Sequence, residues 1–185
     1  MRMFAVFILF TLAAYSSAQV IGFGGCPDIA PVDGFNFTRY AGRWYEIARF
    51  YYASVDGVEG IRCQSVNYTL GDEYIYANNS GFANGRAFSF KIPIRRPTEN
   101  VGKLYYENEN GPAELSVAFV DYDRYVMLHG CTEYLWGFIN VQINFILARQ
   151  RRMSEEDFDD ALRFLTSRGV NVRKFIESDQ QNCPF

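Results

Sequence analysis

Eight short β-like runs, each closed by turn residues, succeed one another along this chain, and nothing else in it limits the possible folds so strongly. They cover residues 43–53, 62–70, 73–80, 86–95, 101–107, 113–120, 124–131 and 141–150. Gly71-Asp72 and Asn84-Gly85 supply tight turns, the second being a strong hairpin dipeptide. Pro97 to Asn100 forms another break. Strands of this length and spacing favour an antiparallel barrel or a two-sheet sandwich. Closing the sheet on itself would remove its edges, and eight strands leave an interior just wide enough for one small ligand. One helix follows the last run. Ser154 is a good N-cap, and Glu155, Glu156 and Asp157 sit where the helix dipole favours acids. Phe158, Ala161, Leu162 and Leu165 recur at helical spacing, and Arg168-Gly169 ends the pattern. That single apolar stripe must pack on the outside of the sheet. Residues 170–176 read as a short ninth strand. Residues 22–25 and 27–34 read as a loose, extended lead-in.

The first residues read as an export signal. Met1-Arg2 is basic, residues 4–14 are apolar, and Ser16-Ser17-Ala18 has the small residues of a cleavage site. Residues 1–18 are therefore expected to be removed, leaving one domain over 19–185 in a secreted, extracellular protein. The apolar run is too short to span about 30 Å of hydrocarbon, so no transmembrane anchor is expected. Export decides how the cysteines are read. Cys26, Cys63, Cys131 and Cys183 form an even set without a CxxC pair. This argues for two disulfides and against a metal or redox site, with three connectivities open. Asn36, Asn67 and Asn78 each begin an Asn-X-Ser/Thr sequon, the acceptor for glycosylation. The net charge of −3, without charge runs, supplies no footprint for nucleic acid. Aromatics make up 17% of the chain, which suggests a dense β core or a cavity walled by flat side chains.

Three motifs appear in order on these runs. Gly42-Arg43-Trp44 opens the first, Val120-Asp121-Tyr122 joins the sixth to the seventh, and Ile146-Leu147-Ala148-Arg149 lies on the eighth. They resemble the Gly-X-Trp, Thr-Asp-Tyr and Arg motifs of the lipocalin family, with Val120 in place of the usual Thr. Residues 25–32 resemble the start of insect bilin-binding lipocalins. Residues 62–70 and 179–184 resemble apolipoprotein D, and the crustacyanin-like lipocalins belong to the same group. The resemblance implies an all-β, eight-stranded antiparallel up-and-down barrel with one C-terminal helix outside. It implies Trp44 at the closed end under Arg149, a cation–π contact worth roughly 1–2 kcal/mol. It also implies disulfides Cys26–Cys131 and Cys63–Cys183, each contributing about 4–5 kcal/mol in the chain-entropy account. Residues 107–112 and 132–140, near the expected mouth, depart from the family pattern and leave the ligand open.

Strand alternation assigns a candidate wall. Trp44 inward implies Glu46 and Ala48 inward. A glycosylated Asn67 must face water, so Tyr68 faces in. The resemblance places Leu104 and Tyr106 inside. Arg149 inward implies Leu147, Phe145 and Ile143 inward. The expected ligand contacts are Tyr68, Tyr106, Ile143, Phe145 and Leu147, with Glu46 as a polar contact below them and Trp136 on the loop at the mouth. Each has a plainer reading as core. Trp44 and Arg149 are read as structural closure, and Glu46 as a hydrogen-bonded cavity acid, since an unpaired buried carboxylate is costly. His129 is the only His, and haem ligation is disfavoured against a structural role. One His, no spare Cys and no GxSxG, HExxH, P-loop or Rossmann signature argue against an enzyme. The function expected first is carriage of a small hydrophobic ligand: bilin, carotenoid, retinoid, steroid or fatty acid. No cofactor is required, though a bilin or carotenoid pigment is a candidate cargo. Partner binding through the mouth loops comes second, with peripheral lipid contact and a homo-oligomer left open. An enzyme on a lipophilic substrate comes last.

Overall fold

A computed structural model describes residues 20–51, 58–95, 97, 99–108 and 111–184. The export signal, residues 1–18, and residues 52–53 of the first run lie outside the described residues. The strands are β1 (Val20–Phe23), β2 (Gly42–Phe50), β3 (Arg62–Leu70), β4 (Tyr74–Ala83), β5 (Arg86–Arg95), β6 (Lys103–Asn108), β7 (Gly111–Val120), β8 (Tyr125–Tyr134), β9 (Ile139–Ala148) and β10 (Phe175–Glu177). Each of β2 to β9 pairs antiparallel with its sequence neighbour, and β9 pairs back onto β2. The eight form a closed up-and-down ring.

The two terminal strands patch the seam. β9 holds β2 only along its lower half, from Tyr45↔Ala148 to Arg49↔Phe145. Its upper half takes β1 instead, from Val20↔Gln142 to Phe23↔Ile139. Likewise β2 pairs β3 below, at residues 42–45, and β10 above, at Ala48 to Phe50. Each patch is secured by a disulfide: Cys26–Cys131 follows β1, and Cys63–Cys183 follows β10. This is the pairing that the resemblance implies.

Two apolar layers result. Trp44, Val66, Tyr68, Ile75, Ala77, Ile94, Leu104, Val117, Leu128 and Leu147 fill the ring. Outside it, α2 (Glu155–Ser167) lays Ala161 and Leu165 over Ala118, Met127, Ile146 and Ala148. The small alanines on both surfaces let the helix approach the sheet closely. Ser154 caps α2 by accepting the Asp157 N–H at 3.1 Å, and Gly169, at φ +85°, ends it.

The structure departs from the sequence reading in three places. The lead-in is not wholly loose, because its first residues belong to the strand Val20–Phe23; a short helix, α1 (Phe37–Tyr40), follows it. The ninth-strand segment begins as a 3-10 turn at Val172–Lys174 and is extended only from Phe175. Ala48 points outward, into the helix layer, not inward. A β-bulge between Glu46 and Ala48 inserts one residue and reverses the alternation. Arg49, opposite Phe145, turns to the inner face in its place.

Candidate functional site

The closed end of the ring is built by the three motifs. Gly42 has φ +93°, a left-handed conformation that favours glycine, and it starts β2 beneath α1. Trp44 is fully buried, and its indole N–H donates to the Tyr40 carbonyl at 2.8 Å. The Arg149 guanidinium lies 3.7 Å from the Trp44 ring centroid. It donates to the carbonyls of Tyr122 (2.9 Å), Arg43 (3.0 Å) and Arg39 (2.7 Å). One side chain thus ties α1, β2 and the β7–β8 turn together. That turn is fixed by Asp121, which accepts the Asp123 and Arg124 N–H groups and pairs with the Arg124 side chain at 2.8 Å. The Arg124 side chain holds the Asp121 carboxyl below the usual carboxylate range. Tyr122 accepts the Asn36 N–H at 2.7 Å. Val120 needs no hydroxyl for any of this.

The wall above the base changes character with height. Tyr68 and Leu147 are buried, Tyr68 against Tyr40 with ring centroids 4.7 Å apart. Higher up, Ile92, Tyr106, Leu115 and Phe145 pack on the same inner cluster but are only half-buried. Ile143 shares the parity of Phe145 and Leu147 and is also half-buried. Inward-facing apolar groups on a closed ring keep exposure only where the lumen is not filled by side chains. Gly130 faces this lumen, where a Cβ would meet the Leu115 side chain at 2.6 Å.

Three phenols stand where the buried base meets the half-buried wall. Burial raises the hydroxyl pKa of Tyr40, Tyr68 and Tyr106, so all three are neutral, and Tyr68 is electrostatically coupled to both others. The Tyr40 hydroxyl is wholly buried, next to that of Tyr68. On β2, Glu46 and Arg49 form a buried ion pair at 2.5 Å. The Ser178 hydroxyl bonds both, and Gln180 donates to the Glu46 carbonyl at 2.9 Å. Glu46 is therefore a paired acid on the inner face, held by the tail that Cys183 fastens.

Tyr40, Arg49 and Ser178 were not singled out from sequence. Asn36 before Phe37 could have marked a helix cap, but the bulge that turns Arg49 inward leaves no trace in the chain. Trp136 stands on the rim, 94% exposed at the tip of the β8–β9 hairpin. His129 lies on the outer face, bonded to Asn144 at 2.8 Å, and burial lowers its pKa. It cannot reach a ligand in the lumen. Asn67 and Asn78 are directly opposite each other on β3 and β4 and share an outward face. Asn36 is exposed and accepts the Arg39 N–H, capping α1.

The family model described as the lipocalin / cytosolic fatty-acid binding protein family matches residues 41–182. Apolipoprotein D of Cavia porcellus is 29% identical over 201 residues, covering 100% of this chain and 97% of that one. The bilin-binding protein of Pieris brassicae is 27% identical over 132 residues, covering 67% of each. Among solved structures, insecticyanin from Manduca sexta superposes with a TM-score of 0.74 at 19% identity, covering 89% of this chain and 90% of that one. Lobster apocrustacyanin A1 superposes at 0.69 with 20% identity, covering 84% and 93%.

Proposed function

The chain belongs to the lipocalin family, and from that premise we propose that it is an extracellular carrier holding one small hydrophobic molecule in the upper half of its barrel. One observation carries this reading: the ring is packed solid from Trp44 to Leu147, yet the inward apolar groups above them stay half-buried. A lumen lined by Tyr106, Ile143 and Phe145, floored by Tyr68 and Leu147, has the apolar wall and few polar groups typical of such sites. Flat aromatic walls suit a flat conjugated molecule such as a bilin or carotenoid, and a relative named for binding bilin supports the bilin. Glu46, being paired, orients the wall and does not itself meet the cargo. The two disulfides and the export-like first residues support an oxidising, extracellular setting. Carriage fits a wall whose described groups include three neutral phenols and a closed ion pair.

The test is absorbance and fluorescence of purified native protein. A visible band, or quenching of Trp and Tyr emission by biliverdin or a carotenoid at micromolar concentration, is expected. Protein that arrives colourless and is not quenched by pigments, retinoids, steroids or fatty acids refutes the carrier reading.

A further inference from the structure

The strongest feature left unused by the lumen is outside it. Phe23 is 92% exposed, Leu135 60%, Trp136 94% and Phe138 74%. All four meet at one point of the mouth. Leu135–Gly137 is the 3-10 tip of the β8–β9 hairpin, Phe23 is opposite Ile139, and the Gly24 N–H donates to the Phe138 carbonyl. Large apolar groups clustered in water mark a contact surface more often than chance exposure.

The tip is held out, not left loose. Cys131 is bonded to Cys26, whose N–H donates to the Glu133 carboxylate at 2.8 Å. Asn140 donates to the carbonyls of Gly24 and Gly25 at 2.9 and 3.1 Å. Leu135, Trp136 and Gly137 have φ of +50°, +57° and +82°. Two consecutive side-chain-bearing residues in the left-handed region are uncommon and are sustained by their surroundings.

The chemistry of the tip selects its partner. Residues 134–139 carry no charge, and the one neighbouring acid, Glu133, is engaged by Cys26. The chain as a whole is acidic, at −3. An anionic surface would repel it and a cationic one would find nothing at the tip to pair with. Four such side chains present on the order of 600 Å². That area is spread around a projecting finger, so a rigid protein covers about half, well under the ~800 Å² per partner of a stable interface. A fluid lipid surface can surround all of it, and Trp is suited to the boundary between headgroups and acyl chains. We propose that the β8–β9 tip and Phe23 seat the barrel mouth on a neutral, zwitterionic lipid surface. This stands whatever the cargo is.

The chain contains its own reporter, since of its two Trp residues Trp44 is fully buried and Trp136 almost fully exposed. Titration with phosphatidylcholine vesicles should shift the emission to the blue, and lipids brominated on their acyl chains should quench it. The protein should float with the vesicles. Phe23→Ser/Phe138→Ser, which alters only exposed side chains and keeps Trp136, should lower the partition coefficient at least tenfold. Adding phosphatidylserine should not raise it. No shift and no flotation of the wild-type protein at millimolar lipid overturns the proposal. So does binding that requires anionic lipid, or a blue shift on concentrating the protein without lipid, which would assign the tip to a second copy of the chain.

Discussion

Removing the Arg149 side chain tests how the barrel is closed. The guanidinium is stacked 3.7 Å from the Trp44 ring centroid in a partly dry site, which is worth about 1–2 kcal/mol. It also donates to three backbone carbonyls at 3.0 Å or less, with a fourth, that of Tyr40, at 3.4 Å. A hydrogen bond to a charged group contributes about 1.5–3 kcal/mol at full strength, but water can reach this half-buried end and replace much of each, leaving roughly 0.5 kcal/mol per bond. The sum for Arg149→Ala is a loss of about 3 kcal/mol. At 2–4 °C per kcal/mol for a domain of this size, the melting midpoint should fall by roughly 6–12 °C. Arg149→Lys keeps a charge over the ring but cannot fork to three carbonyls, so it should lose about half as much. Urea unfolding with the disulfides intact, followed by Trp44 emission, measures both. Ligand affinity should stay within a few-fold of wild type, because the lumen begins above the packed base. A loss below about 1 kcal/mol, or abolished binding at unchanged stability, would show that Arg149 does not act as the closure.

Other expectations follow from the same geometry. Phe145→Asp puts a carboxylate into the half-buried wall and should weaken ligand binding at least tenfold in a fluorescence titration; undiminished binding would place the cargo elsewhere. Arg49→Met leaves Glu46 buried with Ser178, and removing one member of a buried pair costs about 3–5 kcal/mol. The double variant Glu46→Leu/Arg49→Met should be milder than the single one in the same unfolding assay, and the reverse order would show that the pair is not coupled. Burial lowers the His129 pKa below 6.5, so the unfolded chain binds the proton more readily. Its contribution is therefore complete above pH 6.5 and is lost as pH falls below it. Between pH 7 and 5.5 the wild type should lose more stability than His129→Gln, which keeps a partner for Asn144. Equal losses would show that another group titrates there.

The ring and its helix were legible because each element carries its own local signal. Alternation bounded by Asn84-Gly85 gives β4 and β5, and Ser154 with three acids gives the start of α2. The motifs located the base for a similar reason: Gly42, Trp44, Asp121 and Arg149 each do one geometric task that few residues can do. What escaped depends on distant partners. Four residues, Val20–Phe23, are too short to show a period and become a strand only because β9 offers an edge. Ala48 was misplaced because the bulge that turns it outward is set by the pairing of β2 with β9, not by anything within β2. Ser178 reaches Glu46 across 132 residues of sequence, once the reversed face and the second disulfide have brought them together.

The way both ends of the chain patch one seam bears on how the molecule is made. Cys26 and Cys63 leave the ribosome long before Cys131 and Cys183, at separations of 105 and 120 residues from their partners. For much of synthesis, the only bond open to the nascent chain joins Cys26 to Cys63, which is the wrong one. The second correct bond cannot form until every strand of the ring has been translated. Maturation must therefore rely on thiol exchange or on delayed oxidation, and the yield of active protein should follow the disulfide-shuffling capacity of the compartment that produces it.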